Sequence, residues 1–239
     1  MKWLRRKPTI ITAITLVVVM TAAVVLWNVS SSRTFQFFGE LVDRVETNEK
    51  VVALTFDDGP DPAGAQQVLD TLREEQIKAT FFLMGRDLAS HPDLGRKIAE
   101  SGHEIGNHTY NHNRMVGVLP DTVAKEIEDT DAQIRRTGYQ GEIHFRPPNG
   151  KKLFALPHYL SAHHRKTIMW DVEPDSGGTP PAHQIETDVL DQAKPGSIIL
   201  LHPMYASRDQ TRRALRPIIH GLKERGFRFV TVSALLGQA

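Results

Sequence analysis

The sequence contains no cysteine among its 239 residues, which excludes disulfide bonds and zinc sites built from thiolates. A bound metal ion would therefore need His, Asp or Glu ligands, and eleven histidines are present. An excess of charge of one sign is also missing, because 29 Lys and Arg residues stand against 28 Asp and Glu residues. Without a basic stripe, nucleic acid is not an expected partner. Neither a G-x-G-x-x-G turn nor a P-loop is present, so no nucleotide partner is expected.

Charged residues are absent from Thr9 to Val29, an apolar stretch of about 20 residues that is long enough to cross a bilayer. Four basic residues precede this stretch, and only Arg33 follows it closely. The positive-inside rule then predicts residues 1–8 as a cytoplasmic stub and residues 9–29 as a single transmembrane signal-anchor in the cell membrane. The rest of the chain would lie on the extracytoplasmic side. A cleaved signal peptide is the alternative, but its apolar core is usually shorter.

Residues 30–48 are predicted as a linker and residues 49–239 as one domain, in which short apolar runs alternate with amphipathic stretches. This alternation predicts an α/β fold of parallel strands joined by crossover helices. About seven such units favour a distorted or incomplete (β/α) barrel, and an open doubly wound sheet is the alternative. The predicted strands are Val51–Phe56, Thr80–Met84, Glu104–Gly106, Ile143–Phe145, Thr167–Trp170, Ser197–Leu201 and Phe227–Val232.

Polar residues follow five of these predicted strands, at the point where each strand ends. In barrels and open α/β sheets the functional site lies at the carboxyl ends of the strands, so these clusters are expected to form one site. The clusters are Asp57-Asp58, His108 with His112, Arg146 to Gly150, Asp171 to Asp175, and His202.

The spacing of His108 and His112 indicates a metal site. Residues at i and i+4 of a helical turn face the same side, as two imidazoles must to bind one ion. A carboxylate from a nearby strand end is expected as the third ligand, which leaves coordination positions open for water and substrate. The alternative is a pair of polar loop histidines.

The remaining clusters add acid–base chemistry. Asp57 and Asp58 can face one cavity only if the strand breaks after them, and Gly59-Pro60 supplies that break; a plain surface turn is the alternative. Arg146 lies in a proline-stiffened loop, where its planar guanidinium can hold a carboxylate in its ionised form. His202 emerges at the end of a buried strand, although a hydrogen-bonded core histidine would have the same pattern.

Together these segments resemble the polysaccharide deacetylases, the NodB-like carbohydrate esterases. The resemblance covers about residues 51–236 and rests on five motifs in order. They are Thr55 to Pro60 (TFDDGP), His108 to His112 (HTYNH), Arg146 to Gly150 (RPPNG), the acidic segment Trp170 to Asp175, and Leu200 to His202 (LLH).

The resemblance implies a distorted barrel and a role for each matching residue. Asp58, His108 and His112 would bind a divalent metal, commonly zinc in this family. Asp57 would be the general base, oriented by Arg146, and His202 the general acid, tuned by Asp175. The backbone N–H of Asn149 would hold the oxyanion, and Leu200 would line the pocket for the acetyl methyl group.

Two departures from the family pattern are present. Asn149 occupies the position where the family usually has Tyr. The acidic segment is one residue short and lacks the usual Trp after its last Asp, so Asp175 and Glu173 both remain candidate partners of His202.

The implied function is metal-dependent removal of N-acetyl groups from an extracytoplasmic polysaccharide containing N-acetylglucosamine, such as peptidoglycan, a chitin-like oligomer or an exopolysaccharide. The expected partners are this polysaccharide and the membrane. Two alternatives stay open: an O-acetyl esterase acting on acetylated glycans, and a non-catalytic, membrane-tethered glycan-binding protein.

Overall fold

The computed structural model describes residues 6–238, and the side chains of residues 10–238. Within this range helices and strands alternate, and the strands pair in parallel. Their order along the chain is α1 (Arg6–Ser30), β1 (Leu41–Val42), β2 (Val51–Asp57), α2 (Ala65–Glu74), β3 (Thr80–Leu83), α3 (Gly85–Ser90), α4 (Pro92–Glu100), β4 (Glu104–Asn107), α5 (Pro120–Arg136), α6 (Ala155–Ala162), β5 (Thr167–Ile168), α7 (Ala182–Gln192), β6 (Ile198–Leu201), α8 (Asp209–Glu224), β7 (Arg228–Val230) and α9 (Val232–Leu236).

Strand β2 lies at the centre of the main sheet, and all seven of its residues are buried. The sheet order is β4-β3-β2-β6, and β7 pairs with the first half of β2. A strand that is buried on both faces needs apolar residues at nearly every position, which explains the run Val51–Phe56. The α/β class with parallel strands, predicted from the alternation of patterns, is confirmed.

The predicted strand Ile143–Phe145 is reduced to single bridges. Phe145 bridges Asn107 on one side and Thr167 on the other, and Val172 bridges Ile199 of β6. These isolated parallel bridges link the edge of β4 back toward β6 without a regular ladder. A closed barrel therefore stays a prediction. Two short helices, α3 and α9, were not predicted, because six and five residues are too few to show a helical period.

Helix α1 includes a stretch, Ile10–Ser30, that is long and apolar enough to cross a membrane. None of its most apolar window is buried against the rest of the chain. A signal sequence near the N-terminus would have the same properties. Of the predicted cytoplasmic stub, residues 1–5 lie outside the described part of the chain, and residues 6–8 belong to α1.

The segment predicted as a linker, residues 30–48, is packed on the domain. Strand β1 pairs with β5, the Val45 N–H donates to the Gly196 carbonyl at 3.0 Å, and the Phe37 ring stacks on Phe154 with a centroid distance of 4.8 Å. The sequence pattern did not reveal this packing, because a two-residue strand is too short to show alternation.

Three groups of buried side chains hold the layers together. The largest packs helices α2, α4, α7 and α8 against one face of the sheet and includes Phe56, Phe81 and Leu215. A second, around Phe82 and Trp170, fills the side toward β1 and β5, and a third surrounds Phe145 beside α5 and α6. The helices cover the outside of the sheet. The carboxyl ends of β2 and β6 stay open to solvent, and polar side chains collect there.

Candidate active site

One cleft of about 410 Å³ lies where β2 and β6 end. Seven of the nine predicted site residues line it, and the other two, Arg146 and Asp175, are buried behind it. The lining residues are Ser31, Arg33, Asp57, Asp58, His108, His112, Asn149, Gly150, Trp170, Glu173, Ser176, Gly177, Leu200, His202 and Arg208.

The end of β2 brings two adjacent carboxylates to the same cleft. Asp57 is the last residue of the strand, and Asp58 has a φ of 75°, followed by Gly59 with a φ of 71°. This left-handed backbone interrupts the alternation of the strand, so both side chains reach one cavity. Aspartate tolerates this conformation better than most residues, and glycine adopts it freely. The strand break predicted from Gly59-Pro60 is therefore present.

His108 and His112 also converge, although not through the predicted helical turn. Thr109 and His112 have φ values of 66° and 61°, so the segment is an irregular loop. Glu126 of α5 fixes it by accepting hydrogen bonds from the N–H groups of Tyr110 and Asn111 at 2.9 and 2.8 Å. The two imidazole centroids lie 5.0 Å apart. The predicted convergence was right and the predicted helix wrong, because a buried glutamate replaces helical hydrogen bonds.

The residues Asp58, His108 and His112 fit a divalent metal. One ligand atom from each lies within 4.8 Å of the others. Asp58 Oδ1 is 3.3 Å from His112 Nε2 and 3.9 Å from His108 Nε2, and this buried oxygen has no hydrogen-bond partner within the described chain. A buried polar atom without a partner is costly, and a cation would satisfy it.

The protonation of His108 also fits a ligand role. Its Nδ1 lies 2.9 Å from the Arg146 carbonyl, so Nδ1 carries the proton and Nε2 presents its lone pair to the cleft. Burial, together with the neighbouring His112, lowers the pKa of His108 to about 3. The imidazole is therefore neutral at physiological pH, as metal binding requires.

Arg146 holds Asp57 in place from behind the cleft. Its Nη1 donates to Asp57 Oδ1 at 2.7 Å and to Thr55 Oγ1 at 2.8 Å, and Nη2 donates to the Met169 carbonyl at 3.0 Å. The guanidinium is fully buried and lies 4.1 Å over the ring of Phe82. These contacts fix Oδ1, so the free oxygen Oδ2 of Asp57 faces the cleft, 3.6 Å from His108 Nε2.

His202 is paired with Asp175 and not with Glu173. Its Nδ1 lies 2.9 Å from Asp175 Oδ1, and its backbone N–H donates to Oδ2 at 2.8 Å. Thr211 also donates to Oδ2, whereas Glu173 accepts from Trp170 Nε1 at 2.7 Å. Burial opposes the charged imidazolium, but the hydrogen bond and charge of Asp175 outweigh it and raise the pKa of His202 to about 9. His202 is therefore protonated at neutral pH.

Asn149 and Leu200 also line the cleft. Asn149 has a φ of 54° within the short 3-10 turn Pro148–Gly150, so the backbone of this loop bends at the cleft wall. Leu200 lies on β6 and is almost completely buried, and it presents an apolar surface beside the polar groups.

Trp170 entered the sequence prediction only as the start of the acidic motif, and five lining residues were not placed in the site: Ser31, Arg33, Ser176, Gly177 and Arg208. The signal for Trp170 was its place at the end of a predicted strand, next to the acidic cluster that follows it. Arg208 donates to the Asp175 carbonyl at 2.9 Å. No sequence signal placed Ser31 and Arg33 in the site. Their segment shows neither a strand nor a helix period, and it was predicted as a linker.

Comparison with known proteins identifies the family. The family model for polysaccharide deacetylases matches residues 44–164. A peptidoglycan-N-acetylglucosamine deacetylase of Bacillus cereus is 38% identical over 200 residues, which cover 83% of this chain and 93% of that protein.

Two solved structures share the fold. The Bc1960 peptidoglycan N-acetylglucosamine deacetylase, in complex with a hydroxamate-type benzamide, matches with a TM-score of 0.79 and 33% identity over 82% of this chain and 92% of that one. A family 4 acetyl xylan esterase from Clostridium thermocellum, in complex with a cobalt ion, matches with a TM-score of 0.72 and 36% identity over 79% of this chain and 91% of that one. The chain belongs to the polysaccharide deacetylase family.

Proposed function

We propose that this protein is a metal-dependent N-deacetylase that acts on an extracytoplasmic polysaccharide containing N-acetylglucosamine. One observation carries the proposal. A three-residue metal-binding group, an arginine-held aspartate and a protonated histidine face the same cleft of about 410 Å³. Hydrolysis of an amide needs a polarised carbonyl, an activated water and an acid for the leaving amine, and these groups supply all three.

Asp58, His108 and His112 would hold the divalent metal. Their two nitrogens and one oxygen suit a zinc-like ion with open coordination positions. Such an ion, when bound, polarises a carbonyl and makes a nearby water easier to deprotonate.

Asp57 acts as the general base. Because Arg146 occupies Oδ1, the free Oδ2 takes the proton from water as the water oxygen forms its bond to the acetyl carbon. The ion pair with Arg146 fixes the orientation of the Asp57 carboxylate before the reaction. The backbone N–H of Asn149 donates to the developing oxyanion, and Leu200 packs against the acetyl methyl group.

His202 acts as the general acid. As the C–N bond breaks, the proton on His202 Nε2 moves to the leaving nitrogen, and the products are acetate and a free amino sugar. Asp175 keeps the proton on Nδ1 of the imidazole and sustains the charged form at neutral pH.

The substrate class and the location follow from the relatives and from α1. The two deacetylases compared above act, by their names, on peptidoglycan N-acetylglucosamine. Helix α1 is proposed to anchor the domain on the extracytoplasmic side, since the basic residues lie before the apolar stretch.

The test is acetate release by the full chain from peptidoglycan and from soluble chitooligosaccharide. Activity is expected with metal, is expected to disappear after chelation, and is expected to return on addition of Zn²⁺. Metal analysis of the same sample should give one ion per chain. No acetate release from either glycan by the metal-loaded chain would refute the function.

An O-acetyl esterase is the second candidate, supported by the likeness to the acetyl xylan esterase. An alkoxide leaves more readily than an amine, so ester hydrolysis depends less on an acid. His202→Ala should therefore slow amide hydrolysis by about 10²–10⁴-fold and slow aryl acetate hydrolysis less. An ester that is much the faster substrate in the unmodified chain, and whose hydrolysis largely survives His202→Ala, would favour the esterase.

A further inference from the structure

The segment that follows α1 is fixed to the domain beside the cleft. Ser30, the last residue of α1, is fully buried, and its carbonyl accepts a hydrogen bond from the Lys152 N–H at 3.0 Å. The Lys152 ammonium donates to the Ser32 carbonyl, and the Lys151 ammonium lies 3.8 Å over the ring of Trp27. Lys151 and Lys152 directly follow the Pro148–Gly150 turn at the cleft wall. Their contacts therefore fix the end of the apolar helix next to the site.

Arg33 extends from this segment into the cleft. Its guanidinium lies 3.8 Å from Glu173 and 5.8 Å from the centroid of Trp170, and Ser31 lines the same cleft. About half of the Arg33 side chain remains accessible, which leaves donors free for a ligand. Trp170 is almost fully buried, so the accessible guanidinium of Arg33 supplies the contact to a glycan, since its planar N–H donors can bind sugar hydroxyl groups.

The distance from the span to Arg33 is short. Arg33 is the third residue after Ser30, and an extended chain covers at most about 3.3–3.6 Å per residue, so the separation is at most about 11 Å. The next residues, Phe35, Phe37 and Phe38, are 49%, 41% and 42% exposed, and Phe37 stacks on Phe154, which is 46% exposed. Exposed aromatic clusters next to a span fit the interface of a bilayer.

Resting on the proposed function, we propose that residues 31–33 form a wall of the active site, with Arg33 as a specificity-determining residue for the glycan. The cleft is thereby held at the outer surface of the membrane, and the preferred substrate is a glycan strand lying against, or linked to, that surface.

The test uses the full chain in vesicles of phosphatidylcholine and phosphatidylglycerol, normalised to outward-facing protein. One substrate is a soluble chitooligosaccharide, and the other is the same oligosaccharide coupled to a lipid in those vesicles. The first variant is Arg33→Ala. The second inserts a Gly-Ser chain of about 20 residues between Val29 and Ser30, which keeps the docked segment but lets the domain move about 25 Å from the membrane. Arg228→Ala is the matched control, because this exposed arginine pairs with Glu49 at 3.4 Å where β7 begins.

Arg33→Ala is expected to raise KM for the soluble oligosaccharide about ten-fold, which corresponds to about 1.4 kcal/mol, with a much smaller change in kcat and with metal content unchanged. The insertion is expected to lower the preference for the lipid-coupled substrate about ten-fold and to leave soluble turnover unchanged, because the local concentration of lipid-linked glycan falls. An Arg33→Ala chain that behaves like Arg228→Ala, or a preference that survives the insertion, would overturn the inference.

The two proposals fail separately. A chain that releases no acetate refutes the N-deacetylase, whereas a working enzyme insensitive to Arg33→Ala refutes only the wall. Oligosaccharide binding to the Asp57→Asn chain, with and without Arg33→Ala, makes the same comparison without turnover. A loss of binding of about ten-fold supports the wall, and equal binding contradicts it.

Discussion

In the described part of the chain, two clusters that combine an acid with histidine differ in whether the carboxylate oxygens have hydrogen-bond donors. Where β3 and β4 begin, Glu104 accepts from Thr80 Oγ1 at 2.5 Å and from the Ser233 N–H at 3.2 Å, and Ser233 Oγ also contacts it. His144 Nε2 lies 2.9 Å from the same Ser233 Oγ. Where β2 ends, Asp58 Oδ1 is also buried but has no hydrogen-bond partner within the described chain.

The difference separates a structural cluster from a functional one. Both carboxylate oxygens of Glu104 have donors, so this carboxylate needs no ligand and connects α9 to the sheet. Asp58, by contrast, is held by a left-handed backbone in a cleft with two histidines, and none of the described residues donates to its Oδ1. Buried polar atoms without a partner are rare in folded proteins, and a bound ion is one common cause of them. Residue types alone did not distinguish the two clusters.

The largest contrast is expected from removing one carboxylate charge in each cluster. Asp57→Asn should lower kcat for deacetylation about 10²–10⁴-fold, because an amide cannot accept the proton from water, while one metal ion per chain is retained. Glu104→Gln is the matched control, since it makes the same chemical change in the other cluster. Acetate release and metal analysis on both chains make the measurement. Full turnover by Asp57→Asn would show that the base lies elsewhere.

The candidate site was more predictable than the route by which the chain builds it. Polar residues at the ends of parallel strands meet at one edge of a sheet, so Asp57, Asp58, His108 and His202 could be grouped without coordinates. The loop conformation of His108 to His112 could not be predicted. It depends on Glu126, a helix residue distant in sequence that accepts hydrogen bonds from the N–H groups of the loop.

The fold shows the same division. The long apolar run of β2 and the amphipathic helices α5 and α8 were predictable, since each spans enough residues to show its period. Strands β1 and β5 have two residues each and form through pairing with each other, which is tertiary information. The choice of Asp175 over Glu173 also needed the fold, because α8 supplies Thr211 and thereby fixes Asp175 beside His202.

The second contrast concerns the metal. A ligand that binds only the folded state at a hundred times its Kd stabilises the protein by about 2.7 kcal/mol, so Zn²⁺ should raise the unfolding temperature of the unmodified chain. Asp58→Asn should abolish most of this rise, because it weakens one of the three ligands. Glu104→Gln should retain it, even if its baseline is lower. Calorimetry with and without Zn²⁺ measures both, and an undiminished rise in Asp58→Asn would contradict the metal assignment.

The third contrast is in stability without metal. Glu104→Gln replaces an acceptor-only group by an amide, so at least one of the donors from Thr80 and Ser233 meets an NH₂ group or loses its partner. Leaving one buried donor unsatisfied costs about 1–3 kcal/mol, which denaturant titration can resolve. Activity per folded molecule should stay at the level of the unmodified chain. A loss of kcat without loss of stability would instead connect this cluster to the chemistry.

The smallest contrast at neutral pH comes from Asp175, which acts on the reaction only through His202. With Asp175 in place the pKa of His202 is about 9, so the acid is protonated below that pH and lost as the pH rises through it. Asp175→Asn removes the charge that sustains this shift, and the pKa should fall toward the ordinary value of 6.5. One pH unit above the new pKa, the protonated fraction is about ten-fold lower, whereas at more acidic pH the two chains should differ little. A divalent cation in the cleft lowers the pKa of His202 in both chains. The difference between the two pKa values remains. Profiles of kcat against pH for both chains give this separation directly, and coincident alkaline limbs would mean that the imidazolium of His202 is not the acid.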